Sequence, residues 1–203
     1  MRAGTVTHDS LLQASRRVDW RFLLPEPDLG RVACIGVADP DLLHSLRFFS
    51  SELTALEPGS ANGQASSQDV VVLRNPGLGE LQTARRLLHP GGWLYIEVER
   101  PMRRRGTGAS RTAHGHARAL RKLGFVDVEE SMHWPDFASC GAIVPLDDPV
   151  AVRYALTRAG RRSRAPLILR LAPMLAATRQ LGLFVPCASA LGRRPAGAGG
   201  DVR

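Results

Sequence analysis

The sequence predicts an α/β domain built on a mostly parallel sheet. Short apolar runs alternate with segments whose apolar residues recur at three- and four-residue spacing, the pattern of strand–helix–strand units. Residues 31–37, RVACIGV, and 69–73, DVVVL, are apolar without polar alternation, as strands buried on both faces are. The intervening segments carry helix signals. Asp39-Pro40 and Asp148-Pro149 each place a good N-cap before a proline at the first helical position, and Gly124 follows a leucine-rich helical stretch.

Residues 1–30 read as a lead-in, with Leu11, Leu12 and Ala14 on a short helix and Trp20, Phe22, Leu23 and Leu24 as an apolar plug stopped by Pro25 and Pro27. A strand at 32–36 follows. The next helix, from Pro40, has Leu42, Leu43, Leu46 and Phe49 on one face. A second strand, 53–57, ends at Glu57-Pro58-Gly59, and the small polar residues up to Gln68 form a loop. After the strand at 69–73 comes a helix over 78–88, closed by His89-Pro90-Gly91-Gly92, then a strand over 93–98. Residues 100–111 form a basic loop. A helix over 112–123 leads to a strand over 125–131, and 131–147 reads as a loop. Two helices, 148–158 and 166–181 with a kink at Pro173, form an insertion before a last strand at 184–191. The resulting division is a lead-in (1–30), a core (31–147), a helical cover (148–182), a last strand (183–192) and a disordered tail (193–203).

At 203 residues the chain suits one domain of ordinary size. No apolar run reaches the roughly 20 residues of a membrane span, and the first residues lack a signal-peptide core, so a cytoplasmic protein is expected. Three widely spaced cysteines argue against a disulfide framework or a structural zinc site, and no metal site is expected. Net charge is +8, which invites an arginine-driven nucleic-acid reading. Yet Lys122 is the only lysine among 27 basic residues, and aromatics make up 5%. That usage suits a solvated surface of a GC-rich genome's protein better than a stacking platform.

Four segments resemble the class I S-adenosylmethionine-dependent methyltransferases. VACIGVADP matches the first strand and Gly-rich turn, and LTALEPG the second strand with its terminal acid. DVVVLRNP resembles the fourth strand, and RLLHPGGWLYIEVE the helix, Pro-Gly-Gly turn and fifth strand. The resemblance covers residues 30–130 and the last strand. It implies a Rossmann-like methyltransferase fold whose last strand is antiparallel, with S-adenosylmethionine as cofactor and a small molecule as methyl acceptor. It also implies site residues: Gly36, Asp39, Glu57 and Asp69 for the cofactor, with Glu57 on the ribose hydroxyls and Asp39 facing the ammonium group. Asn75 lies in the segment 73–76 that lines the floor toward the substrate.

The chain departs from that pattern twice. The Gly-rich turn keeps only Gly36, with Cys34, Ala38 and Pro40 at the other positions. Eleven residues separate Glu57 from Asp69, too few for a helix and a strand, so the third, edge strand is expected to be missing. Both departures favour an alternative: a methyltransferase-fold protein that binds or scaffolds without catalysing.

One more segment draws notice. His133-Trp134-Pro135-Asp136-Phe137 puts a histidine, a carboxylate and two aromatics after a strand. His133 with Asp136 suits a general base, and Trp134 with Phe137 the walls of a substrate pocket.

Overall fold

The computed structural model of the chain describes residues 8–59, 65–99, 112–160, 185 and 187–197. Both faces of its sheet are covered, which is why its inner strands are continuously apolar. Helix α1 (His8–Arg17) and a 3-10 turn (Asp19–Leu23) precede β1 (Arg31–Ile35), α2 (Pro40–Phe49), β2 (Glu52–Leu56), β3 (Gln68–Arg74) and α3 (Leu78–Leu87). Then come β4 (Leu88–Glu99), α4 (Ala113–Lys122), β5 (Val126–Trp134), β6 (Ala142–Pro145), α5 (Pro149–Gly160) and β7 (Cys187–Arg193).

The strands form one seven-stranded sheet in the order β2-β1-β3-β4-β7-β5-β6. β2, β1, β3 and β4 are parallel neighbours. β7 enters antiparallel between β4 and β5, as expected of the last strand. This is the Rossmann-like arrangement of the methyltransferase type, and β2 stands at the sheet edge among the described residues. The expected loss of the outer strand agrees with that edge position.

Alternate residues of each strand face two cores. Ala33, Ile35, Val71, Leu73, Leu94 and Ile96 meet α3 and α4. Val32, Cys34, Val70, Val72 and Tyr95 meet Trp20, Leu24, Leu42 and Leu46 on the other face. Burial of a leucine-sized side chain contributes about 1.5–3 kcal/mol, so these two layers supply the main stabilisation. The caps form as expected. Asp39 accepts the N–H groups of Asp41 and Leu42, and Asp148 those of Val150 and Ala151.

Three expectations are corrected. Residues 131–147 are not one loop: β5 continues to Trp134 and pairs antiparallel with β6. The strand after Pro-Gly-Gly begins earlier, at Leu88, because the turn is absorbed as an irregularity in its pairing with β3. The start of the tail is structured. Arg193 ends β7, and the Arg194 backbone exchanges hydrogen bonds with Gly91 and Gly92. The guanidinium of Arg194 also donates to the carbonyls of Arg85 and Leu88. The expected helix at 166–181 lies outside the described residues.

Candidate functional site

Strand order reverses between β1 and β3, with α2 on one face and α3 on the other. In an open α/β sheet this is where a crevice opens beyond the carboxyl ends of the strands. Gly36 follows β1 there with φ +65°, a conformation open to glycine without strain. Its N–H donates to the Leu56 carbonyl at 3.1 Å, which ties the turn to the end of β2. A Cβ on Gly36 would stand 3.2 Å from Pro58 and 3.3 Å from the Glu80 carboxylate. Glu57 is exposed at the same rim and forms no ion pair among the described residues. Glu80 accepts the Gly77 N–H at 2.6 Å at the start of α3.

A charged cluster lies beside this turn, on the α1/α2 face. Arg17 of α1 is bidentate on Glu97, at 2.6 and 2.9 Å, and reaches Asp39 at 2.9 Å. Both Arg17 and Glu97 are buried. Arg74, at the end of β3, reaches Asp39 at 3.4 Å and pairs with Glu99. Burial opposes the charge on Arg17, but its bonds to Glu97 and Asp39 outweigh that and raise its pKa. Burial would raise Asp39. The bond from Arg17, the Leu42 N–H and the charges of both arginines turn the net shift downward. Asn75, with φ +47°, is exposed, and its polar groups are already engaged by the end of β4. Its N–H donates to the Glu97 carbonyl, and its side-chain oxygen accepts the Glu99 N–H.

A neutral cluster adjoins the charged one. β5 delivers His133 to the carboxyl end of the sheet, level with the end of β4. Its Nε2 lies 2.9 Å from the Ser189 hydroxyl and 3.3 Å from the Tyr95 hydroxyl, and its Nδ1 3.6 Å from the Cys140 sulfur. Burial, helped by the charge of Arg17, lowers the His133 pKa to about 3, so the ring is neutral. Phe137 is buried over the imidazole, with ring centroids 4.6 Å apart, and its other neighbour is the Arg17 guanidinium, 5.7 Å from the ring centre.

The expected His133–Asp136 pair is therefore not assembled. Asp136 is exposed, and its carboxylate accepts the N–H and hydroxyl of Ser139, which closes the turn between β5 and β6. Trp134 alternates to the opposite side of β5 from His133 and is exposed. Phe137 is a core residue.

Asp69 is at the other end of the sheet. It lies at the start of β3, after Gln68, and its carboxylate accepts the Arg31 N–H at 2.7 Å and pairs with the side chains of Arg31 and His89. In a parallel sheet the start of one strand cannot share a rim with the end of its neighbour, so Asp69 does not join Gly36 and Glu57. Arg17, Glu97, Tyr95 and Ser189 went unnoticed in the sequence. Glu97 did carry a signal, a lone carboxylate inside the apolar strand WLYIEV.

Among the described residues no group of histidines, cysteines and carboxylates is arranged for a metal ion, and no helix is long and apolar enough to cross a membrane. No family model and no curated protein matches the sequence. Solved structures do. The chain is similar to phosphoethanolamine N-methyltransferase 2 of Haemonchus contortus, solved with S-adenosyl-L-methionine, at 11% identity and a TM-score of 0.49 over 95% of this chain and 58% of that one. It thus spans little more than half of that enzyme's length. It is also similar to a S-adenosylmethionine-dependent methyltransferase of Thermotoga maritima, at 14% identity and a TM-score of 0.47 over 90% of this chain and 89% of that one. The likeness is one of fold: strand order and an antiparallel last strand make this a Rossmann-like α/β sheet.

Proposed function

We propose that the chain binds S-adenosylmethionine in the crevice between β1 and β3 and transfers its methyl group to a small-molecule acceptor. The observation that carries this reading is the pairing of Gly36 with the end of β2. The Gly36–Leu56 hydrogen bond sets an open glycine turn beside an exposed carboxylate, Glu57. Those are the two parts a nucleoside needs, close backbone approach and an acceptor for two ribose hydroxyls. The residues present fit the rest of the cofactor too. Asp39 and Glu97 suit an ammonium group and Arg74 a carboxylate.

When bound, the cofactor supplies an electrophilic methyl on a sulfonium. The chain contributes binding and orientation of both reactants. Isothermal titration with S-adenosylmethionine and S-adenosylhomocysteine tests the reading: micromolar binding is expected, and no heat at millimolar ligand would refute it. In Glu57→Ala, affinity should fall by about 1.5–3 kcal/mol, the worth of hydrogen bonds to a charged group. An unchanged dissociation constant would place the ribose elsewhere.

A second reading, binding without catalysis, is favoured by one observation. His133 is neutral, buried and engaged by Tyr95, Ser189 and Cys140, so it offers no free base at the rim. Cofactor binding with no methyl transfer to a panel of amines, phenols and thiols would support that reading.

A further inference from the structure

α1 packs against α2 and is tied through Ser15 to Arg21 of the 3-10 turn, and it meets the sheet through Arg17. Of residues 11–17, only Ala14 and Arg17 are buried, while Leu11, Leu12, Gln13 and Arg16 are exposed. A ten-residue helix has little stability of its own and depends on what it packs against. What Arg17 packs against belongs to the crevice. Its guanidinium rests on Glu97 at the end of β4, on Asp39 after β1, and near the face of Phe137.

Two carboxylates and an aromatic face suit any organic cation, and here they hold one from the chain itself. The docking also carries costs. A buried ion pair returns little beyond its desolvation penalty. The next segment buries the indole N–H of Trp20 with no hydrogen-bond partner, which opposes the docked state. Val18 and Trp20 are fully buried and anchor the 3-10 turn, so lifting α1 breaks the hydrogen bonds of Val18 and Arg21 to Ser15 and leaves those two side chains in the core.

We infer that Arg17 is a placeholder: it occupies, at Glu97 and Asp39, the position that a ligand's ammonium group takes when α1 lifts away. The ligand's identity rests on the proposed function; the placeholder role does not. The ammonium belongs either to the cofactor's amino-acid end or to an amine acceptor.

The test uses the full chain and three probes. S-adenosylhomocysteine carries the ammonium, 5′-methylthioadenosine lacks it, and methylguanidine carries a cation alone. Arg17→Met should bind S-adenosylhomocysteine at least tenfold more tightly than wild type, with 5′-methylthioadenosine unchanged, and the exposed neighbour variant Arg16→Met should match wild type. That outcome assigns the position to the cofactor. Saturable methylguanidine binding by Arg17→Met, lost in Arg17→Met/Glu97→Gln, with both nucleosides unaffected, assigns it to the acceptor. Methylguanidine binding with no nucleoside binding by any form retains the placeholder and sinks the proposed function. If Arg17→Met binds nothing more tightly than wild type, the placeholder is wrong. Should that variant fail to fold, hydrogen exchange on wild type decides. Amides of residues 9–17 should lose protection at least fivefold on adding S-adenosylhomocysteine or methylguanidine, and unchanged protection with both overturns the inference.

Discussion

Two buried polar clusters share one face of the sheet, and their β4 members, Tyr95 and Glu97, are two residues apart. The cluster around Glu97 is ionic, borders the crevice and is built from residues up to 80 positions apart. The cluster around Tyr95 is neutral, lies beneath Phe137 and gathers His133, Ser189 and Cys140. The difference lies in what each one demands of its surroundings. The neutral cluster is satisfied from within, so burial only fixes its hydrogen bonds. The ionic one needs every charge answered, so any change of occupant must bring charge of its own.

Removing one charge should therefore separate the two most sharply. Glu97→Ala leaves Arg17 buried without its principal partner, and urea unfolding should show a loss of about 3–5 kcal/mol. A loss below 1 kcal/mol would mean that α1 simply swings out and takes Arg17 into water.

The neutral cluster should respond to pH instead. His133 has a folded pKa near 3 and the similarly buried His116 near 4, against 6.5 in the unfolded chain. The unfolded state thus binds more protons below pH 6.5. Stability should be full above that pH and fall as pH drops toward 4, by up to about 1.4 kcal/mol per pH unit for each histidine. His133→Leu should remove about half of that slope. An unaltered slope would show that carboxylates alone set the acid sensitivity.

The smallest effect is expected at Asp136. As the closure of an exposed turn, its loss in Asp136→Ala should cost about 0.5–1 kcal/mol by thermal unfolding, with cofactor affinity and any turnover unchanged. A collapse of turnover alone would restore Asp136 to the chemistry.

Most of the sheet was legible because its signals are local. The strands near 32–36, 69–73 and 93–98 announce themselves by short, largely apolar runs, the strand near 53–57 by its Pro-Gly stop, and α2 and α5 by aspartate-proline starts. The β5–β6 hairpin was not legible, because Met132–Trp134 and Ala142–Pro145 are too short to show a period. At the site, Gly36 and Glu57 could be read from their place at strand ends. Arg17 could not: an arginine on a short helix looks like surface, and nothing nearby in sequence indicates that its partner lies on β4. The His133–Phe137 segment misled for a related reason. Aromatics and a histidine close together mark a pocket wall or a packed plug equally well, and only the hydrogen bonds from Ser189 and Tyr95 distinguish them.

The position of β7 has a consequence for synthesis. It is the last of the described strands in chain order, yet it lies between β4 and β5. About 90 residues separate the end of β4 from its start. At ribosomal rates of roughly 5–20 residues per second, that is an interval of roughly 4–18 s. Through that interval β1 to β4 can pair in the order they emerge, but the outer side of Trp93–Glu99 has no partner. A nascent chain halted before Cys187 therefore exposes an apolar strand edge, while β5 and β6 form a hairpin with no sheet to join.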